Sequence, residues 1–342
     1  MYFLKNDYSE GAHPRVMEAL SRTNLEQTVG YGLDPYCAAA AERLRTRFAC
    51  PNADIHFLPG GTQTNLTVIA AFLRPWEAVV AASTAHIAVH ETGAIEAAGH
   101  RVCLIPSADG KITAGELRAL LAEYEVDNAE HMVLPRMVYL SQPTEFGTIY
   151  SRAELSAISA LCRERGLWLY VDGARLAVSL TCGPNDLRPE DFAQLCDAFY
   201  LGGTKNALLF GEALFIVNDA LKPFFRNCIK QRGGLLAKGR LLGVQFGAIL
   251  EDDLWLTVAA HANRMADALR EGIRAAGFSL FVNSPTNQIF PIVPDRFAEA
   301  LKREFVFEDW CPAGDGLRAI RLVTSWATKE ETVQALLRAV KG

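Results

Sequence analysis

The chain has 342 residues, with 34 Lys+Arg against 39 Asp+Glu, and therefore carries a formal net charge of −5. Half of its residues are apolar and 21% are charged, which is typical of a globular protein. At roughly 100–200 residues per domain, this length predicts two domains. The acidic balance argues against nucleic acids as partners, because binding to phosphate backbones needs clustered Lys and Arg.

Cysteine spacing and apolar run lengths indicate the compartment. The eight cysteines are scattered, and no two have the Cys-x-x-Cys spacing of a metal or redox site, so we expect reduced, mostly buried thiols and no metal. No apolar run approaches the ~20 residues of a membrane span, and the first residues lack the pattern of a signal peptide. We expect a soluble, cytoplasmic protein that does not bind membranes.

Short apolar runs alternate with amphipathic segments of helix length from about residue 53 onward. Strands are predicted at 55–59, 78–82, 102–106, 137–141, 167–171 and 198–201, and helices between them at 66–73, 114–124 and 152–165. This order predicts β-α-β crossovers and an α/β fold with a largely parallel sheet. Ligands of such sheets bind beyond the C-terminal ends of the strands.

The pattern changes after about residue 240. Helices are predicted at 241–250, 254–276, 295–303 and 329–340, with strands at 278–282, 288–293 and 319–323. We interpret this part as a smaller α+β domain. The predicted division gives a large domain at residues 1–245, including the N-terminal segment, and a small C-terminal domain at residues 246–342.

The first informative motif is PGGTQTN at residues 59–65, between a predicted strand and an apolar helix. Its two glycines let the backbone approach a ligand, and the helix start offers free N–H groups with partial positive charge, which suits a phosphate. The motif is neither Gly-x-Gly-x-x-Gly nor a nucleotide P-loop. An ordinary strand-to-helix turn capped by Thr62 is the alternative.

Two further motifs follow consecutive predicted strands: DGAR begins at Asp172, and GGTKN contains Lys205. An acid at the tip of a buried strand should face a cation or a protonated ring nitrogen. A lysine beside two glycines in a dry site is suited to forming a Schiff base. Considered alone, Asp-Gly is a common turn dipeptide, and a lysine after Gly-Gly-Thr is typical of a solvated loop. Together with the phosphate motif they indicate pyridoxal phosphate.

In this order the motifs resemble those of the low-specificity threonine aldolases, pyridoxal phosphate enzymes of the β-eliminating-lyase family. The resemblance covers nearly the whole chain and implies the aspartate-aminotransferase-like fold (fold type I), with a large, mostly parallel α/β domain and a smaller C-terminal α+β domain. It also implies cleavage of L-threonine, L-allo-threonine or related β-hydroxy-α-amino acids to glycine and an aldehyde. The implied assembly is a homotetramer of dimers with shared active sites.

The resemblance assigns the cofactor site residue by residue. Gly61 and Thr62 hold the phosphate, His86 stacks on the pyridine ring, Asp172 pairs with the ring nitrogen and Lys205 carries the cofactor. His86, or a water that it orients, is the expected base for the substrate's β-hydroxyl. From the residues alone, His86 is equally a capping or packing histidine.

The resemblance also assigns a substrate site. Arg175 and Arg321 take the substrate carboxylate, and Arg175 is also counted among the cofactor-binding residues. Asn6 stands near the start, where the family usually has a serine, and Tyr31 belongs to a segment at a subunit boundary beside the active site. Considered alone, Arg321 could equally form an interdomain salt bridge.

One departure from the family leaves the substrate's side chain open. The family usually has a second histidine after the strand predicted at 137–141, where this chain has SQPTEFG at 141–147. That loop is similar to a branch that includes phenylserine aldolases. The alternatives are phenylserine cleavage, an aminotransferase or β-eliminating lyase of the same fold, a regulator that has lost catalysis, and a sugar- or nucleotide-binding protein.

Overall fold

The computed structural model describes residues 1–127 and 129–341. Its strands are β1 (Tyr2–Phe3), β2 (Asp54–Leu58), β3 (Glu77–Ala82), β4 (Val102–Ile105), β5 (Leu134–Ser141), β6 (Trp168–Asp172), β7 (Ala198–Gly202), β8 (Glu212–Ile216), β9 (Gln288–Ile289), β10 (Ile292–Pro294), β11 (Phe305–Val306), β12 (Glu308–Pro312) and β13 (Leu317–Val323). Its helices are α1 (Pro14–Thr23), α2 (Pro35–Arg47), α3 (Gly61–Phe72), α4 (His86–Val89), α5 (Ala94–Ala97), α6 (Ala114–Ala122), α7 (Arg152–Arg165), α8 (Leu176–Thr181), α9 (Pro189–Leu195), α10 (Phe225–Gln231), α11 (Arg240–Ile249), α12 (Leu254–Ala275), α13 (Asp295–Leu301) and α14 (Glu330–Lys341).

A seven-stranded sheet has the order β2-β8-β7-β6-β5-β3-β4. Five neighbouring strands, β4, β3, β5, β6 and β7, are parallel, whereas β8 is antiparallel to both of its neighbours. Every residue of β3 and of β8 is buried, as expected for strands covered on both faces. The largely parallel α/β sheet predicted from the alternating pattern is confirmed.

Helix α7 illustrates how the local sequence sets an element's ends. The Ser151 hydroxyl accepts the backbone N–H of Glu154, and the Glu154 carboxylate accepts the backbone N–H of Ser151, which forms a capping box. Gly166 ends the helix in the left-handed region, with φ of 66°. The helix predicted at 152–165 therefore has the observed bounds.

Strands later in the chain form a second, smaller sheet. β10, β13 and β12 form an antiparallel sheet in which β9 also pairs with β13, and β1 from the N-terminus pairs with β11. Helix α12 packs against α8 of the large part and α14 of the small part. The division predicted between residues 245 and 246 falls inside α11, which packs against α1 and α2; it stays a prediction.

Several elements differ from the sequence prediction, among them β8 and the strand predicted at 278–282. Strand β8 was not predicted, because a fully buried five-residue strand shows no alternation of apolar and polar residues. The strand predicted at 278–282 is wrong: the structure has only an isolated bridge between Leu280 and Pro291 there. Pro291 has no N–H to donate to a ladder, which limits pairing at this point.

Candidate active site

The strand ends of the large sheet open into a cavity of about 300 Å³. Its lining comes from both parts of the chain: Lys5, Asn6, Tyr8, His86, His90, Glu145, Arg175, Lys205, Glu308 and Arg321. Five of the predicted site residues, Asn6, His86, Arg175, Lys205 and Arg321, are therefore brought together. The position agrees with the rule that ligands of open α/β sheets bind at the C-terminal strand ends.

Asp172 is the last residue of β6 and is buried. Its Oδ2 accepts the Tyr139 hydroxyl at 2.6 Å and Asn65 Nδ2 at 3.0 Å, and its Oδ1 accepts the Tyr200 hydroxyl at 2.5 Å and the Ala174 N–H at 2.9 Å. Burial would raise the pKa of Asp172, but the charge of His86 and these hydrogen bonds hold it below its ordinary value. The carboxylate is thus kept ionised without an arginine or lysine partner.

Lys205 follows β7, the parallel neighbour of β6, so both predicted strand-tip residues lie on adjacent strands. Glu212 fixes the turn before it by accepting the Gly203 N–H at 3.0 Å and the Thr204 hydroxyl at 2.8 Å. A Cβ on Gly203 would lie 2.4 Å from Leu208, so the turn requires glycine there. Burial and the positive charge of Arg175 lower the pKa of Lys205. A lysine in this setting is favoured as a nucleophile.

The predicted phosphate motif forms the start of α3. The helix begins at Gly61, its N-cap is Gly60, and no side chain caps it. The alternative in which Thr62 caps the turn is therefore wrong, because Thr62 lies inside the first turn and is exposed. The first N–H groups of α3 have no side-chain acceptor and remain available to an anion.

His86 opens the short helix α4 and is half-buried. Its Nδ1 lies 2.8 Å from Oε1 of Glu91, whose side chain is fully buried. Burial lowers the pKa of His86, but the hydrogen bond to Glu91 and the charges of Glu145 and Asp172 raise it above its ordinary value overall. A capping role is not observed, since the N-cap is Ala85 and no side chain caps the helix.

Each of the two predicted carboxylate-binding arginines already has an acidic partner. Arg175 donates from Nε and Nη2 to the two carboxylate oxygens of Asp7, at 2.5 and 3.0 Å, and both side chains are buried. Arg321 Nη2 lies 2.5 Å from Glu308. Arg321 Nε is buried and makes no hydrogen bond to another described residue. The Arg321 Nε–H group is therefore a donor that an acceptor atom of a ligand would satisfy.

The two remaining predicted residues, Asn6 and Tyr31, lie at different cavities. Asn6 lines the cavity, and its side chain accepts the Tyr8 N–H and the Ser9 hydroxyl. Tyr31 is not among the residues that line this cavity; it borders a separate one of about 240 Å³, and its carbonyl accepts from Arg226. Tyr31 is 43% exposed, which is compatible with contact to another subunit.

Several polar residues of the site carried no signal in the sequence. Tyr139 and Tyr200 occupy β5 and β7 and resemble ordinary core aromatics of buried strands. Asn65 lies one turn inside α3, and Asp7 is separated from Arg175 by 168 residues. Only the fold brings such residues together, so single-sequence spacing could not find them.

The large, mostly parallel sheet with its smaller second part is a fold of the aspartate-aminotransferase-like class. The structure superimposes on an aspartate aminotransferase from Thermus thermophilus with a TM-score of 0.74 at 17% identity, covering 100% of this chain and 91% of that chain. This similarity establishes the fold alone.

A family model described as beta-eliminating lyase matches residues 4–296, and the chain belongs to that family. It is 33% identical to the low specificity L-threonine aldolase of Pseudomonas aeruginosa, covering 99% of this chain and 96% of the relative. It is 46% identical to a solved threonine aldolase from Leishmania major, with a TM-score of 0.97 and coverage of 100% of this chain and 99% of that chain.

The family uses pyridoxal phosphate, and the residues present fit this cofactor. The uncapped start of α3 suits a phosphate, the buried carboxylate of Asp172 suits a ring nitrogen, and Lys205 suits covalent attachment. Within residues 1–127 and 129–341, no group of three or more His, Cys, Asp or Glu could hold a metal ion. In the same residues, no helix is both long and apolar enough to cross a bilayer.

Proposed function

We propose that the protein is an aldolase that cleaves L-threonine, L-allo-threonine or related β-hydroxy-α-amino acids to glycine and an aldehyde. The observation that carries the proposal is one cavity that Lys205, Arg175 and Arg321 line, with Asp172 at the end of the strand next to the one that Lys205 follows. The similarity to threonine aldolases over the whole chain supports this carbon–carbon lyase activity over other reactions of the same fold.

When bound, pyridoxal phosphate supplies an electron sink for the pair released from the Cα–Cβ bond. Asp172 would hold a proton on the ring nitrogen, because Tyr139, Tyr200 and Asn65 keep its carboxylate negative. Gly61 and Thr62 at the start of α3 would hold the phosphate. Lys205 would carry the cofactor and release it to the amino group of the substrate.

The arginines and His86 would act on the substrate. Arg321 would bind the carboxylate through its unpaired Nε, and Arg175, oriented by Asp7, would add a second positive charge. Fixing the carboxylate aligns the Cα–Cβ bond for cleavage, which is a contribution of position. His86 would accept the proton of the β-hydroxyl, directly or through water.

The proposal is tested by incubating the purified holoenzyme with L-threonine and measuring glycine and acetaldehyde. We expect equal amounts of both products and no keto acid. With a 2-oxo acid added as amino acceptor, formation of the keto acid of threonine without ammonia would identify an aminotransferase, and release of both keto acid and ammonia without glycine would identify a β-eliminating lyase. Phenylserine cleavage much faster than threonine cleavage would favour the phenylserine aldolase alternative.

We further propose a cytoplasmic homotetramer, a dimer of dimers. Among the residues that the structure describes, all eight cysteines are free, which fits the reducing cytosol. Four apolar side chains, Leu25, Val29, Leu33 and Phe224, are between 64% and 91% exposed, which is costly in a monomer. Contact between subunits would remove this apolar surface from water.

A further inference from the structure

Glu91 lies five residues after His86, and the proposed function gives it no role. Glu91 lies in the segment that joins α4 to α5, and its side chain is fully buried. Its Oε1 accepts Asn65 Nδ2 at 2.8 Å and contacts His86 Nδ1 at the same distance, whereas its Oε2 is buried without a hydrogen bond to a described residue. A buried carboxylate is costly unless a positive or hydrogen-donating group compensates for it, and His86 is the ionisable group that does so here.

A single amide connects this pair to the base of the site. Asn65 Nδ2 also donates to Asp172 Oδ2 at 3.0 Å, and Asn65 Oδ1 accepts the Tyr170 hydroxyl at 2.9 Å. The Tyr170 hydroxyl therefore fixes which end of the amide faces the two carboxylates. Asn65 holds Glu91 and Asp172 in one network, so that the His86 ring has a fixed position relative to Asp172.

The contact with Glu91 also determines the protonation pattern of His86. Burial raises the pKa of Glu91, whereas the hydrogen bonds with His86 and Asn65 favour its ionised form. Because an ionised carboxylate only accepts hydrogen bonds, Nδ1 carries the hydrogen when Glu91 is ionised. In the neutral ring Nε2 is then an acceptor, and it makes no hydrogen bond to a described residue although His86 lines the cavity. The same carboxylate stabilises the imidazolium once Nε2 has taken a proton, as in other carboxylate–histidine pairs.

We propose that Glu91 is a positioning residue for the proposed aldol cleavage: it holds the His86 ring with Nδ1 protonated and Nε2 free to accept the proton of the substrate's β-hydroxyl. This inference rests on the proposed function. The proton passes from the hydroxyl oxygen to Nε2, and the O–H electron pair becomes the second carbon–oxygen bond of the aldehyde. The electron pair of the Cα–Cβ bond stays with Cα, which a later proton converts to glycine.

The first test is the Glu91→Gln variant of the holoenzyme, which keeps the shape of the side chain but removes its charge. We expect kcat for threonine cleavage to fall about 10²-fold, since general-base catalysis contributes at least that much. The acid limb of kcat/KM should move to lower pH, because His86 loses the carboxylate that favours its protonated form. Glu96→Gln is the matched control: Glu96 is exposed in the adjacent helix and should leave both quantities unchanged.

A double-mutant cycle separates positioning through His86 from a structural role. If Glu91 acts through His86, Glu91→Gln should cost almost nothing further in a His86→Gln background. Glu91→Asp keeps the charge and should retain the acid limb near that of the wild type, with a smaller loss of kcat. Should Glu91→Gln fail to fold, Glu91→Asp replaces it in the cycle. A loss that persists in full in the His86→Gln background contradicts the proposal.

A measurement on histidine itself does not depend on turnover. The ring of His86 is followed by NMR in holoenzyme labelled at the histidine Cε1 carbon, with His86→Gln to assign the signal. His90, Glu145, Asp172, Lys205 and Arg321 also face this region, and all are unchanged in the variant. The pKa of His86 should fall in Glu91→Gln; an unchanged titration overturns the inference. If the wild type releases no glycine, the proposed function fails separately while this titration still tests Glu91.

Discussion

At the scale of single residues, neighbouring side chains determine the pKa values and positions of the ionisable groups in the site. The charge of His86 and hydrogen bonds from its neighbours lower the pKa of Asp172, and burial and the charge of Arg175 lower the pKa of Lys205. Burial likewise raises the pKa of Glu212, which fixes the turn before Lys205, to about 8. The same side chains on a solvated loop would have ordinary pKa values and little catalytic use.

Lys205 provides the most direct test of these assignments. Lys205→Ala should abolish the visible absorbance of the covalently bound cofactor and reduce turnover by several orders of magnitude, because the variant has no amine at this position. The fold should persist, since the side chain forms no ion pair or hydrogen bond to another described residue. Absorbance spectra, circular dichroism and glycine release check the three statements. A variant that still bound pyridoxal phosphate covalently would assign the role to another lysine.

We propose that the loop at residues 141–147, from which Glu145 lines the cavity, influences substrate choice. Because no imidazole from this loop meets the β-hydroxyl, we expect weak discrimination between the two Cβ epimers and cleavage of threonine, allo-threonine and phenylserine. Glycine release from each substrate under matched conditions is the measurement. Strict selectivity for one epimer of threonine, with phenylserine inert, would show that another residue binds the hydroxyl.

At the scale of elements, one buried ion pair joins three parts of the chain. Asp7 follows β1, Arg175 is the N-cap of α8, and Asn287 precedes β9 and donates to Asp7 Oδ2 at 2.9 Å. The N-terminal segment is thereby fixed at the cavity, where Asn6 lies. The arginine proposed to bind the substrate therefore depends on an element from the other end of the sequence.

Replacing Asp7 with Asn should destabilise the protein by about 3–5 kcal/mol at pH 7, because Arg175 is then left buried without a counter-charge. Burial opposes ionisation of Asp7, but Arg175 lowers its pKa overall. The pair therefore stabilises the fold above the ordinary pKa of an aspartate, and this stability is lost as the pH falls through the lowered value. Thermal unfolding between pH 2 and 7 should show a smaller acid loss in the variant.

The control for this prediction is Asp219→Asn. Asp219 pairs with Lys222 at the surface, and its side chain is 87% exposed. Removing such a pair should cost no more than about 1 kcal/mol. Equal effects of the two substitutions would contradict a special role for the buried pair.

Local sequence predicted the elements that hold Asp172 and Lys205, because each follows a buried apolar strand that ends in a glycine-containing turn. It also predicted a helix start near Gly60 and Gly61, and α3 begins at Gly61; anion binding there stays a prediction. It could not predict the partners of these residues. Tyr139 and Tyr200 contact Asp172 because the strand order places β5 and β7 on either side of β6, and Asn65 reaches it from α3. The local sequence pattern does not indicate contacts between residues that are this far apart in the chain.

At the scale of the whole molecule, the position of Tyr31 is explained if the active site is shared between subunits. In its own chain Tyr31 lies in a segment that contacts α10 and the turn after it, away from the cavity that Lys205 lines. The exposed apolar residues Leu25, Val29 and Leu33 belong to the same segment. A two-fold dimer would bury them and bring each Tyr31 towards the other subunit's cavity.

Mixing two inactive variants tests this arrangement. Lys205→Ala and Tyr31→Ala are each expected to lose activity as homodimers, for different reasons. After subunits are exchanged by mild denaturation and refolding, random pairing places both lesions in one site of each hybrid and leaves its other site intact. Activity should then return to about a quarter of the wild-type value per site, the fraction expected for two-fold pairing. The refolded single variants are the controls. If the mixture stays inactive while sedimentation shows that hybrids form, Tyr31 acts within its own subunit or not at all, and the site belongs to one chain.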